Sequence, residues 1–222
     1  MTTTSQPVAY DVTRFSDDDL YWFNEGTHYR LFDKLGSHLM TPAEQSGVYF
    51  AVWAPNAQSV TVMGDFNDWD KTSHPLAARA QSGIWEGFIP GLSKKTHYKY
   101  HIISHVQGYS VDKADPYAVH HETPPKTGSI VWDLDYEWGD ESWMKNRLER
   151  NRFDAPMSVY EVHLGSWRRK PEEGNRSLSY AELAPLLAEY CREMNFTHVE
   201  LMPVMEHPFY GSWGYQRKPC RS

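Results

Sequence analysis

The chain has 222 residues, 40% of them hydrophobic and 23% charged, which is enough apolar material for a packed core and too little charge for a disordered acidic chain. A net charge of −7 and a pI near 5.9 argue against a polyanion such as nucleic acid as partner. No apolar run reaches the ~18 residues that a membrane helix needs, and Met1 to Pro7 has neither the basic nor the apolar part of a secretory signal.

The only cysteines, Cys191 and Cys220, argue against a disulfide framework, and a reducing cytoplasm is the expected compartment. Aromatic residues stand out: nine Trp, fourteen Tyr and nine Phe. Rings of this kind fill β-sandwich cores, and they also stack on the apolar faces of sugars or bases.

In chain order, residues 1–45 read as a polar tail and a lead-in strand, with Tyr29-Arg30-Leu31-Phe32-Asp33-Lys34-Leu35-Gly36 alternating as a strand does. Residues 46–133 then give short alternating runs divided by turn residues. These are Val48–Trp53, Ser59–Gly64, Ile84–Ile89, Thr96–Ile103 and Ser129–Trp132, the pattern of an antiparallel β-sandwich. Residues 134–156 are a charged connector with a short helix around Ser142–Arg150.

Beyond Pro156 the period changes. Ser158–Leu164 reads as a strand, and Ser179-Tyr180-Ala181-Glu182 is a capping box. Leu183, Leu187, Tyr190 and Met194 follow at helical spacing up to Asn195, a left-handed terminator, with Pro185 expected to kink the helix. Thr197–Val204 is a second strand with apolar residues on both faces. Strand, helix and strand in one sheet imply a right-handed parallel crossover.

Two strings carry a resemblance. Phe50-Ala51-Val52-Trp53-Ala54-Pro55-Asn56-Ala57 with Val60-Thr61-Val62-Met63-Gly64-Asp65-Phe66-Asn67-Asp68-Trp69 is similar to the glucan-binding modules of carbohydrate-binding module family 48. The likeness continues through Gly83-Ile84-Trp85, Tyr98-Lys99-Tyr100 and Lys113-Ala114-Asp115-Pro116-Tyr117-Ala118. It implies an Ig-like sandwich with sugar contacts at Trp69 and Lys99. A second aromatic falls at Tyr109, where the regulatory members carry Trp.

The second string joins Ser158–Trp167, Thr197–Pro208 and Gly211-Ser212-Trp213-Gly214-Tyr215-Gln216. It resembles the opening strand, second strand and following loop of the catalytic barrel in 1,4-α-glucan branching enzymes, of glycoside hydrolase family 13 in the α-amylase superfamily. The expected fold class is thus mainly β, an Ig-like antiparallel β-sandwich followed by an incomplete (β/α) barrel start of one βαβ unit over residues 157–216. Residues 217–222 depart from the family pattern and read as an aberrant tail.

The resemblance implies a glycosyltransferase reaction: a retaining double displacement that cleaves an α-1,4-glucan and passes the chain to a 6-hydroxyl, forming an α-1,6 branch of glycogen. The partner is an α-glucan, with no cofactor, metal, nucleic acid or membrane. Tyr215 matches a loop tyrosine that stacks on the sugar at the cleavage site.

The catalytic carboxylates of the family belong to later barrel strands. The expectation is therefore a truncated enzyme without catalytic residues of its own, whose exposed barrel edge is open to self-association. Glu161, Glu200 and Glu206 read as structural, and His97, His101 and His105 share a strand face rather than forming a metal site. The alternatives are a stand-alone glucan-binding module and a fragment of a related debranching or trehalose-releasing enzyme.

Overall fold

The computed structural model describes residues 7–106, 108–123, 125–205 and 210–215. The chain divides into two compact units, Met1–Tyr136 and Glu137–Ser222.

The first unit opens with a helix, α1 (Asp17–Glu25), that the sequence reading did not name. Its cap is reciprocal: the Ser16 hydroxyl accepts the Asp19 N–H at 3.1 Å, and the Asp19 carboxylate accepts the Ser16 N–H at 2.8 Å. Asp17, Asp18 and Asp19 put negative charge on the first turn, where the helix dipole favours it. The segment Tyr29–Gly36 is not the expected strand. Leu31–Asp33 is a 3-10 turn, tied by an ion pair between Arg30 and Asp33, and the strand starts only at Gly36. Alternation there was a coincidence of composition: Leu31 turns inward against the sheet while Phe32 stays exposed.

Eight strands follow: β1 (Gly36–Met40), β2 (Gly47–Trp53), β3 (Ala57–Gly64), β4 (Ala77–Ala78), β5 (Ile84–Pro90), β6 (His97–Ser104), β7 (Ser110–Lys113) and β8 (Ser129–Ile130). One antiparallel sheet has the order β1-β2-β5-β4. In the other, β6 pairs with β3 on one edge and with β7 and β8 along the other. Val48, Phe50 and Val52 of β2 meet Val60 and Val62 of β3 and Tyr98 and Tyr100 of β6 in the space between the sheets. This is the expected Ig-like sandwich.

Strand β2 is buried on both faces, because its other side chains, Tyr49 and Ala51, pack under Phe15 and Leu35 of the N-terminal segment. That segment is part of the sandwich core rather than a free tail. Burying a Phe or Leu side chain contributes roughly 1.5–3 kcal/mol.

The core holds several hydroxyl-bearing rings, and each finds a partner. Tyr49 donates to the buried Glu86 carboxylate. Tyr98 and Tyr100 donate to Asp115 Oδ2 at 2.7 and 3.0 Å. Asp115 is 1% exposed; its own N–H donates to Ser129 Oγ at 2.8 Å, and its Oδ1 accepts from the Tyr117 N–H at 2.8 Å. Burial pushes this carboxyl up to about 6, against the opposing pull of the Tyr98, Tyr117 and Tyr100 hydrogen bonds. The Asp-Pro-Tyr-Ala string therefore works as a clamp between its loop and the inter-sheet core. By contrast, none of the nine tryptophans is fully buried.

The second unit begins with α2 (Glu141–Arg150), close to its expected span. Strand β9 (Val159–Val162) leads into the one-turn helix α3 (Leu164–Trp167). A small hairpin of β10 (Arg169–Lys170) and β11 (Arg176–Ser177), not foreseen, comes next. Helix α4 (Tyr180–Glu193) starts at the expected Ser179–Glu182 box and continues through Pro185. Asn195 takes the left-handed conformation predicted for it, at φ 58°.

Strand β12 (His198–Leu201) pairs with β9 in parallel, His198 opposite Val159 and Leu201 opposite Val162. The βαβ unit is thus present. The expectation of apolar residues on both faces of β12 is corrected: His198 and Glu200 alternate with Val199 and Leu201. The core of this unit is Val162, Leu183, Leu187 and Cys191, with Tyr160, Tyr190 and Phe196 packed beside them as tilted ring pairs. Among the described residues no helix is long and apolar enough to cross a membrane.

Candidate functional site

The exit from β3 builds an exposed aromatic platform. After Gly64 the chain makes a 3-10 turn over Asp65–Asn67, and then two successive residues, Asp68 and Trp69, adopt positive φ of 52° and 60°. A bulky side chain in that region is uncommon and costs about 1–2 kcal/mol. The turn is held by Asn67: its Oδ1 accepts the Gly64 N–H at 2.9 Å, and its amide nitrogen lies 3.0 Å from both Ser73 Oγ and His74 Nδ1. The Trp69 N–H closes the loop onto the Gly64 carbonyl at 2.9 Å. Gly64 has no substitute here, since a Cβ would stand 2.1 Å from the His97 carbonyl oxygen. The result is an indole 38% exposed on a braced turn.

Strand β6 supplies the neighbour. Tyr98 and Tyr100 point into the core, so His97, Lys99 and His101 lie on the outer face. The Lys99 ammonium is 5.9 Å from the Trp69 ring centroid and donates to the Thr127 hydroxyl at 2.7 Å. The two histidines flanking it are each paired with a carboxylate: His97 Nδ1 lies 3.0 Å from Asp65 Oδ2, and His101 Nδ1 2.7 Å from Asp112 Oδ1. Lys71 also reaches Asp112, at 2.9 Å. Burial raises the Asp112 carboxyl, but its bonds to His101 and Lys71 outweigh that and hold it below the ordinary range. The face therefore carries paired charges, with a flat ring, an ammonium and the Thr127 hydroxyl beside it.

Trp69 and Lys99 are brought together. Tyr109 lies elsewhere on the same unit, at the tip of the β6–β7 hairpin, 53% exposed, with its carbonyl accepting the Ser104 N–H at 3.0 Å. It sits beyond the Ile103–Ser110 pair, so about 13 Å of strand separates it from Lys99. Tyr215 belongs to the second unit and is 67% exposed after the 3-10 turn Tyr210–Ser212.

Two contributors escaped the sequence reading. Thr127, which fixes the Lys99 head group, sits in an irregular segment with no periodic signal. Asn67 was visible in the Phe-Asn-Asp-Trp string, but its bracing bonds are not a property of spacing.

Glu161 stands opposite Glu200 in the parallel ladder, both exposed, while Glu206 lies outside the described residues. His105 donates its N–H to the Asn56 carbonyl. Among the described residues no group of three or more His, Cys, Asp or Glu side chains forms a metal-ligand cluster.

Comparison with known proteins agrees with the fold. The family model of carbohydrate-binding module 48 (isoamylase N-terminal domain) matches residues 34–118. The chain is 56% identical over 202 residues to the 1,4-alpha-glucan branching enzyme GlgB of Aquifex aeolicus, covering 90% of this chain and 32% of that protein. To the enzyme of the same name from Myxococcus xanthus it is 51% identical over 216 residues, 96% of this chain and 29% of that one. The chain thus spans about a third of the length of the curated relatives it matches.

Among solved structures, ligand-free PulA from Klebsiella pneumoniae superposes with a TM-score of 0.56 at 25% identity, over 79% of this chain and 18% of that one. The GBS pullulanase SAP in complex with maltotetraose gives a TM-score of 0.54 at 19% identity, over 79% and 24%. The latter likeness is one of fold alone.

Proposed function

Residues 34–118 are a carbohydrate-binding module of family 48 in a chain that corresponds to the N-terminal portion of the 1,4-alpha-glucan branching enzymes, and on that premise we propose that the first unit holds an α-glucan on the platform of Trp69 and Lys99. One observation carries the reading: an indole held in a strained, braced turn, with an ammonium beside it that the Thr127 hydroxyl steadies. A pyranose presents an apolar face to such a ring and hydroxyls to the ammonium and to Thr127. The strain at Trp69 is a cost that the sandwich itself does not need.

The second unit is read as the opening βαβ of a (β/α)₈ barrel, with Tyr215 on the loop beyond β12 facing the substrate. The reaction assigned to the whole enzyme is cleavage of an α-1,4-glucan and transfer of the chain to a 6-hydroxyl, forming α-1,6 branches in glycogen synthesis. The 222 residues alone are proposed to bind without branching. Such a barrel takes about 250 residues and draws its catalytic groups from several strand ends, and Glu161 and Glu200 are exposed, without the burial that raises a general acid's pKa. Identities of 56% and 51% to branching enzymes, against 25% to a pullulanase, favour branching over debranching as the parent chemistry. The buried free thiol of Cys191 fits a reducing cytoplasm.

Co-sedimentation with glycogen tests the reading. The chain is expected in the glycogen pellet, with Trp69→Ala lowering the bound fraction about tenfold. No enrichment of the parent chain over a non-binding control protein contradicts it. Formation of α-1,6 linkages from amylose by the purified chain would contradict the assignment of binding without catalysis.

A further inference from the structure

The Trp69 turn rests on a buried imidazole. Beyond the turn the chain returns alongside β3: the Val62 N–H donates to the His74 carbonyl at 2.9 Å, and the Leu76 N–H to the Val60 carbonyl at 2.8 Å. Side chains two apart on an extended segment share a face. Both of these are buried, Leu76 in the inter-sheet core and His74 at 3% exposure. The Phe66 ring meets the imidazole edge to face, with centroids 5.1 Å apart. A polar ring buried in this way persists where its nitrogens find partners.

The partners of Nδ1 fix its protonation. Asn67 Oδ1 is taken by the Gly64 N–H, so the other end of the amide, which can only donate, faces His74 Nδ1 at 3.0 Å. Nδ1 is therefore an acceptor, and the neutral ring carries its proton on Nε2. Ser73 Oγ, 3.0 Å from the amide nitrogen and 2.8 Å from Nδ1, accepts from the first and donates to the second. A proton on Nδ1 would set two donors face to face. Turning the Asn67 amide over would relieve that, but would set its nitrogen against the Gly64 N–H and lose the bond that closes the turn. Either outcome weakens the brace on the positive φ angles of Asp68 and Trp69.

Nearby charges bear on that proton. The Thr72 hydroxyl and N–H, with smaller pulls from Ser73 and His74, hold the Asp70 carboxyl below the ordinary range. Asp70 in turn favours a cationic His74, which burial opposes. The other charged groups of the turn are the exposed Asp68 and the pairs Asp65–His97 and Lys71–Asp112, while β3 carries no ionisable side chain. We propose that His74 is a positioning residue of the Trp69 platform, acting through Asn67: its neutral form holds the turn closed and its cation releases it. The consequence for glucan, a platform that weakens in acid, rests on the binding reading given above; the latch itself rests on the donor and acceptor pattern.

The test follows the full chain from about pH 8 to about pH 5, the span in which imidazoles titrate. One sample carries 5-fluorotryptophan, with the Trp69 resonance assigned by its loss in Trp69→Phe. A second is isotope-labelled, with the His74 ring assigned by through-bond correlation to its own backbone. Without sugar, His74 is expected as the Nε2–H tautomer at the upper pH, and the Trp69 resonance should move with the His74 midpoint. In His74→Asn the new amide oxygen stands on Cγ where Nδ1 did, accepts from Asn67 and cannot titrate, so the Trp69 resonance should hold its alkaline position throughout. If that variant does not fold, the two midpoints in the parent chain decide, and a separation of about one pH unit overturns the proposal. An Nδ1–H tautomer overturns it too, as does a Trp69 transition that persists in His74→Asn and so belongs to His97 beside Asp65. Titration with maltoheptaose then reads the consequence: affinity about fivefold weaker at the acid end in the parent chain, and without pH dependence in His74→Asn. Absence of binding at every pH defeats the glucan reading and leaves the latch to be judged by tautomer and fluorine. Binding that stays level in the parent chain while the Trp69 resonance moves overturns the role of His74 in positioning the platform.

Discussion

The Lys99 ammonium stands 5.9 Å from the centroid of the Trp69 ring, although thirty residues and a different strand separate the two. The ring is brought there by a turn with two consecutive positive φ angles, and the ammonium is steadied by Thr127. Backbone strain of this kind persists only where surrounding bonds enforce it, here those of Asn67.

That strain gives the first prediction. Trp69→Gly removes both the ring and the penalty of its positive φ, so stability and binding should move in opposite directions. The thermal midpoint is expected to stay level or rise by a few degrees, for a relief of about 1 kcal/mol, while glycogen binding is lost. A variant that loses stability instead would mean that the indole is a packing residue.

Asp115 gives a pH dependence with a defined sign. Its folded value of about 6 lies above the ordinary 3.8, so between those values the native state holds the proton more tightly than the unfolded chain. Its contribution to stability is therefore complete below about pH 4, falls as pH rises and levels off above about 6, a total on the order of 3 kcal/mol. Urea unfolding of the parent and Asp115→Asn chains from about pH 4 to 7 checks this. The parent curve should fall relative to that of the variant across the window, and parallel curves would contradict the assignment. Asp19 acts oppositely. Burial raises its carboxyl, but Lys34, Ser16 and His28 outweigh that and hold it well below the ordinary range, so its contribution is present above about pH 4 and lost only in stronger acid.

Pro185 is an exposed residue inside α4 and leaves that interior helix position without an N–H to donate. Pro185→Ala should stabilise the second unit by roughly 1–2 kcal/mol, the restored helix bond exceeding the entropy gained by the unfolded chain. Slower hydrogen exchange at α4 amides is the expected readout, and faster exchange would count against it.

Much of this fold could be read from residues because its signals are local. The β2, β3, β5 and β6 runs alternate and stop at turn residues, and the Ser179–Glu182 box marks the start of α4. Helix α1 was missed because its box closes with Asp19 rather than a longer acid, and because tertiary burial under Phe15 and Leu35, not periodicity, holds that segment. The false strand at Tyr29–Gly36 failed for the same reason: a 3-10 turn can imitate alternation when its apolar residues face a sheet laid down later.

The site divides in the same way. Trp69 and Lys99 could be marked individually from their strings, but Asn67 as a brace and Thr127 as an anchor depend on contacts across the fold.

Calorimetric titration with maltoheptaose is the most direct test of the central claim, because it reads the affinity of the platform without the avidity of a glycogen particle. The account predicts that Trp69→Ala weakens binding about tenfold and Lys99→Ala about threefold, with unfolding midpoints near that of the parent chain. Unchanged affinity in both variants would contradict it and would leave Trp69 as a strained surface residue without a ligand.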